Sequence, residues 1–147
     1  MNRHDNNSGL PDWATERTEQ LTTILVQLLT SDYIPFDERL HGRLPKRPGI
    51  YAIYAKTAPT AEVLRAGRTK TAADGLRQRI YQNHFQGNQN GNLRRQLVDN
   101  GACASIHDTK RWIRANCVVQ FTLVEDNEMR QWAEYMMLAV LRPRYCD

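Results

Sequence analysis

The sequence predicts a small α+β domain in which a central three-stranded antiparallel sheet is flanked by helices. Three observations carry this expectation: an amphipathic pattern near the start, β-branched and aromatic runs through the middle, and a strongly apolar helical stripe at the end. A chain of 147 residues, 41% hydrophobic and 24% charged, suits a single globular core and not a disordered chain.

Residues 1–11 are polar and read as a flexible tail. Asp12 is the expected N-cap of the first helix, which carries Leu21, Ile24, Leu25, Leu28 and Leu29 at helical spacing over roughly 18 residues. Pro35, Pro45 and Pro48 punctuate the next segment, so 12–48 reads as a helix with its connector and 49–147 as the main domain. Residues 51–55 and 62–66 are strands joined by a hairpin-length loop that contains Pro59. Residues 75–84 read as a helix with Leu76 and Ile80 on one face, and 92–98 as another, stopped by Asp99-Asn100-Gly101. Asp108 is the expected cap of a short helix through Arg114, and 117–124 supplies the third strand. In the last helix Met129, Trp132, Ala133, Met136, Met137, Val140 and Leu141 form the stripe, and Pro143 ends it. The unbroken apolar run at 135–141 predicts burial on most sides.

The formal charge is +4. Its distribution is more informative: Arg65, Arg68, Lys70, Arg77, Arg79, Arg94, Arg95, Lys110, Arg111 and Arg114 crowd the middle, opposed there by Asp74, Asp99 and Asp108. This is either a solvated basic face or a nucleic-acid footprint. The three cysteines, Cys103, Cys117 and Cys146, form no Cys-x-x-Cys pair, and the start carries no apolar signal segment, so a reducing, cytoplasmic setting is expected. Cys103, His107 and Cys117 match no common zinc spacing. No run reaches the ~20 apolar residues of a membrane span.

Three residue types bear on chemistry. Glu134 directly precedes the 135–141 run, where a carboxylate is either solvated at the helix edge or a ligand for Mg²⁺, which takes one or two carboxylates plus phosphate oxygens. Arg79, beside Ile80, borders the buried side of its helix; its guanidinium can fork onto a phosphate or merely cover apolar neighbours. Tyr51 and Tyr54 face opposite sides of their strand. A phenol serves as a base only beside a cation or metal, and Arg65, Arg68 and Lys70 are near in sequence to supply such a field; otherwise Tyr51 is core packing.

Gly49-Ile50-Tyr51, Gly67-x-Thr69, Leu76-x-x-Arg79-Ile80, and Glu134 ahead of Leu141-Arg142-Pro143-Arg144-Tyr145 together resemble the GIY-YIG nuclease family over residues 49–147. The resemblance implies an α/β sandwich around a three-stranded antiparallel sheet and hydrolysis of DNA phosphodiesters with a single Mg²⁺ or Mn²⁺. By position it implies Tyr51 as the base that activates water, Arg79 as the phosphate clamp and Glu134 as the metal ligand. His84 matches a recurrent family histidine, one residue later than the usual spacing. Two positions depart from the pattern: Arg65-Ala66-Gly67 stands for Tyr-Ile-Gly, and Cys146 stands for the asparagine after Tyr145. The arginine cannot accept a proton; either Arg65 adds a phosphate contact or Tyr81 fills the missing phenol's place.

These residues support three functional expectations. The first is a DNA endonuclease, with RNA as the other possible substrate, acting as monomer or homodimer. The second is a catalytically weakened nucleic-acid-binding module gripping its ligand through Arg65, Arg68, Lys70, Arg94 and Arg95. The third is a regulatory protein whose N-terminal helix engages another protein.

Overall fold

In chain order, a computed structural model gives α1 (Asp12–Leu29), β1 (Ile34–Pro35), α2 (Leu40–Arg43), β2 (Gly49–Ala55), β3 (Glu62–Arg68), a π-helix (Arg77–Gln86), α3 (Leu93–Asp99), α4 (Ile106–Asn116), β4 (Cys117–Leu123) and α5 (Asn127–Leu141). It describes residues 9–56, 62–70, 75–87 and 91–145. The expected tail over 1–8, the loop tip with Pro59, and Cys146 lie outside them.

The sheet has four strands in the order β1-β4-β2-β3, every neighbouring pair antiparallel. The expected count of three misses β1, which is two residues long and so shows no alternation. Its Pro35 is tolerated because β1 is an edge. Between β2 and β3 the register sets Tyr51 opposite Gly67 and Ile53 opposite Arg65, and then slips by one residue at Ile53/Tyr54. Gly49 permits a close approach at the other side of β2, since a Cβ there would collide with the Thr122 carbonyl oxygen.

Helices cover both faces. On one, Leu25 and Leu28 of α1 and Ala133 and Met137 of α5 pack with Ile50, Ala52, Tyr54 and Ala66. On the other, Tyr51, Ile53 and Val119 pack with Leu40, Leu76, Ile80, Phe85, Leu93, Leu97 and Ile113. Tyr51 and Tyr54 therefore serve different layers, as the strand alternation requires.

Several details correct the expectations. Pro11, not Asp12, is the N-cap of α1, with Asp12 in its first turn. Ser105 caps α4; Asp108 lies one turn inside and accepts the Ser105 hydroxyl at 3.0 Å. In α5 the apolar run is not enclosed: Trp132, Tyr135 and Val140 are about half exposed, while Arg130, Ala133 and Met137 are buried. Among the described residues, the sheet and α1 are the main cover of that helix, so part of its circumference stays outward.

The helix after β3 is wound with i→i+5 bonds. In an α-helix, Phe85 would lie about two and a half turns after Leu76, on the opposite side. Wider turns reduce nine residues to about two turns, so Leu76, Ile80 and Phe85 all enter the core. The same winding buries His84 against β2.

At the C-terminus Arg142 adopts a left-handed conformation (φ 49°) and Pro143 ends the helix. The tail then runs along β3: the Arg144 and Tyr145 N–H groups donate to the Val63 and Leu64 carbonyls, both at 2.9 Å. This covers part of the β3 edge.

Candidate active site

Three of the predicted site residues meet on one face of the sheet. The Tyr51 hydroxyl lies 2.5 Å from His84 Nε2 and accepts from Arg79 Nε at 3.1 Å. Tyr51 and His84 are fully buried. The protonation of His84 follows from its other nitrogen: Nδ1 accepts the Leu93 N–H at 3.0 Å. A neutral imidazole with Nδ1 accepting carries its proton on Nε2, so His84 donates to Tyr51 and cannot take the phenol's proton. The same bond satisfies an otherwise unpaired donor in the first turn of α3, where Asn92 provides no side-chain cap. Asn92 instead accepts a longer contact, 3.5 Å, from Arg79 Nη1.

The phenol oxygen thus receives two N–H donors, an arrangement that favours phenolate. Burial opposes it and prevails, pushing Tyr51 above its ordinary value against the pull of the Arg79 and Arg65 charges; the Glu134 charge adds a smaller push upward. Burial likewise holds His84 well below its usual value, and Arg79 and Arg65 lower it further.

Gly67 shows why β3 carries a glycine opposite Tyr51. A Cβ there would lie 2.7 Å from the Tyr51 hydroxyl, so the phenol rests directly over the bare backbone. Arg65, two residues earlier on the same strand face, is 4% exposed and reaches the Tyr145 carbonyl at 3.4 Å. Tyr81 packs instead against His41 and Phe85.

Glu134 reaches β3 from α5 and pairs with Arg68, Nε to Oε1, at 3.2 Å. It makes no bond to Tyr51, Arg79 or His84, but its charge is felt at Tyr51. Behind the pair lies Arg130, 1% exposed, a residue that the sequence reading passed over. Arg130 donates to the Thr69, Val124 and Glu125 carbonyls at 2.9, 3.0 and 3.3 Å and to Asn127 Oδ1 at 2.5 Å. It thereby clamps the end of β3 to the start of α5 and sets where Glu134 falls. Its position inside an apolar stripe was the available signal, hidden because charged helical residues normally face water.

Arg65, Arg68 and Arg79 are linked through Tyr51, His84 and Glu134 by contact or charge; Arg130 bears on Arg68 and is itself flanked by the Asp126 and Glu125 charges. Around Tyr51 itself, Arg65, Arg68 and Arg79 against Glu134 leave a net positive charge mostly shielded from water, a setting that favours an incoming anion.

For a divalent ion, the described residues contain no group of three or more His, Cys, Asp or Glu side chains. A cage for calcium or structural zinc is therefore not present among them. A lone carboxylate matches Mg²⁺ or Mn²⁺ when waters and phosphate oxygens complete the shell, so Glu134 fits that mode once Arg68 releases it.

The remaining predicted nucleic-acid contacts are dispersed. Lys70 is exposed at the end of β3. Arg94 is spent internally, on Thr109 at 2.7 Å, the Ile106 carbonyl at 2.9 Å and the Gln86 carbonyl, joining α3 to α4 and the π-helix. Arg95 pairs with Asp99 along α3 at 3.2 Å. A groove of about 860 Å³ between α1 and α5, lined by Leu21, Met129, Trp132 and Tyr135 with Asp126 and Glu128, belongs to the opposite layer from Tyr51. It contains no cationic cluster.

No family model, curated protein or solved structure matches the chain.

Proposed function

We propose that this protein is a metal-dependent DNA endonuclease that cleaves phosphodiesters by a GIY-YIG-type mechanism. The observation that carries the reading is the Tyr51 hydroxyl held between Arg79 and His84, where the Arg65, Arg68 and Arg79 guanidinium groups face the Glu134 carboxylate.

The scissile phosphate is drawn to Arg79 and Arg65, whose fixed donors oppose the charge that builds on phosphorus during in-line attack. Tyr51, as phenolate, takes the proton of the attacking water. Arg79 and His84 stabilise that phenolate by donating to its oxygen, and the surrounding cations offset the burial that otherwise keeps the proton on. Glu134 would hold a divalent ion, whose charge would supply polarisation of the phosphate and stabilisation of the leaving oxygen.

The test is plasmid nicking by the full chain with Mg²⁺ or Mn²⁺, beside Arg79→Ala and Glu134→Ala. Metal-dependent nicking that both substitutions abolish is expected. A folded protein that never nicks sinks the enzyme reading.

One observation favours a second reading. Tyr51 is fully enclosed and its phenol is held above its ordinary value, which suits a site that binds phosphate without cleaving it. Salt-sensitive DNA binding with no nicking at any pH selects that reading.

A further inference from the structure

The Arg68–Glu134 pair stands where the proposed reaction needs a free carboxylate. Arg68 Nε occupies Oε1 at 3.2 Å, and the two side chains are only 21% and 18% exposed, so water does little to loosen them. Among the described residues Glu134 is the one group Arg68 bonds. Arg130, whose charge bears on Arg68, is fixed by its backbone carbonyls and cannot take over the role. The carboxylate therefore already has a cation.

We propose that Arg68 is a built-in surrogate for the divalent ion, holding Glu134 until a phosphodiester draws the guanidinium away, so that metal and phosphate bind this site cooperatively. The inference rests on Glu134 being the metal ligand. Two physical causes act together. A guanidinium forks onto a phosphate in a bidentate geometry, which the single Nε contact to Glu134 does not provide. A dication entering alone also adds charge to a site that already holds Arg65, Arg68 and Arg79, whereas a phosphate brought with it cancels that charge. Linkage makes the effect reciprocal: DNA tightens metal binding by the factor that metal tightens DNA binding.

The experiment measures Mn²⁺ binding to the full chain by the EPR signal of free Mn²⁺, without nucleic acid. Arg68→Met is expected to bind Mn²⁺ about tenfold more tightly than the unaltered chain, within the usual range of such couplings. Adding Glu134→Gln is expected to remove that gain. A gain that Glu134→Gln removes cannot arise from unfolding, because the many other carboxylates of an unfolded chain would keep it. An Arg68→Met protein with unchanged circular dichroism and no gain overturns the surrogate role. If Arg68→Met does not fold, a short DNA duplex added to the Tyr51→Phe chain, which retains Arg68 and leaves the probe uncut, decides the matter. Mn²⁺ affinity about tenfold higher with the duplex, after subtracting the Mn²⁺ taken up by the same duplex with the Tyr51→Phe, Glu134→Gln chain, supports the proposal, and an unchanged affinity overturns it. The two layers separate cleanly. If E134Q does not weaken Mn²⁺ binding, the metal-ligand assignment fails and takes the surrogate role with it. If E134Q weakens it while Arg68→Met leaves it unchanged, only the surrogate role fails.

Discussion

Replacing Gly67 by alanine tests the geometry of the Tyr51 site without assuming what the site does. The added Cβ falls 2.7 Å from the Tyr51 hydroxyl and 3.1 Å from Cζ. The phenol cannot swing aside freely, because it is buried and held by Arg79 and His84. Overpacking of this kind costs about 1–3 kcal/mol. Gly67 has no positive φ, so alanine regains about 0.4–1 kcal/mol through the unfolded chain. The net expected loss is about 1–2 kcal/mol, read as a lower urea midpoint at unchanged m-value. Tyr51→Phe alone removes the shared acceptor of two donors and costs about 1–3 kcal/mol. In that background the 2.7 Å clash disappears, and the 3.1 Å contact asks the ring to give only a few tenths of an ångström. Gly67→Ala is then expected to cost nearly nothing, giving a coupling of about 1–2 kcal/mol between the positions. Additivity within about 0.5 kcal/mol would refute the placement of the hydroxyl over Gly67 and the site built on it.

His84 is held below 6.5, so the folded state binds fewer protons there than the unfolded chain. Its contribution is complete above the unfolded value and is lost as pH falls; stability should decline below pH 6.5 by at most about 1.4 kcal/mol per pH unit from this group, and less steeply in His84→Gln, by urea titrations across that range. Arg65 lowers Tyr51 through its charge, so Arg65→Met should move the alkaline-rising limb of the cleavage pH profile upward, and an unmoved limb would separate Arg65 from the base. Arg130→Met should cost about 3 kcal/mol in urea unfolding, because it strands buried carbonyls at Thr69 and Val124. Pyrophosphate should raise the melting temperature above chloride at equal ionic strength, and Arg79→Ala should blunt the rise; no anion effect would argue against a phosphate site.

The parts of the fold legible in the sequence were those with strong local periodicity. β2, β3, β4, α1 and α5 follow from alternation or helical stripes, whereas β1 is too short to have a pattern. The exposed Trp132 and Val140 belong to the same stripe as the buried Met137, and periodicity cannot tell how many neighbours a helix will have. The π-winding was invisible for a related reason: it is chosen by the need to bury Phe85 beside Leu76, a tertiary demand. Within the site, local pattern brought Tyr51 and Arg79 to notice. The state of His84 depends on a backbone N–H nine residues later, and the Arg68–Glu134 pair spans 66 residues, so neither leaves a mark in any short window.

The charge of the cluster argues about function more strongly than any single contact. Guanidinium groups shielded from water weaken a protein unless something compensates them, and Arg130 and Arg94 show how this chain compensates a structural arginine: mainly with backbone carbonyls, joined by Asn127 Oδ1 and Thr109 Oγ1. Arg68 and Arg79 are treated differently. Arg68 rests on a carboxylate, and Arg79 on a phenol and, at longer range, an amide. Such partners can be exchanged without opening the backbone. On the proposed reading, an arginine that receives a phosphate requires such an exchangeable partner. On that reading Arg130 is the scaffold, Arg68 and Arg79 are held by partners a phosphate can replace, and Arg65, resting on the Tyr145 carbonyl, adds its charge beside them. Tyr51 and Glu134 are the groups that Arg79 and Arg68 hold.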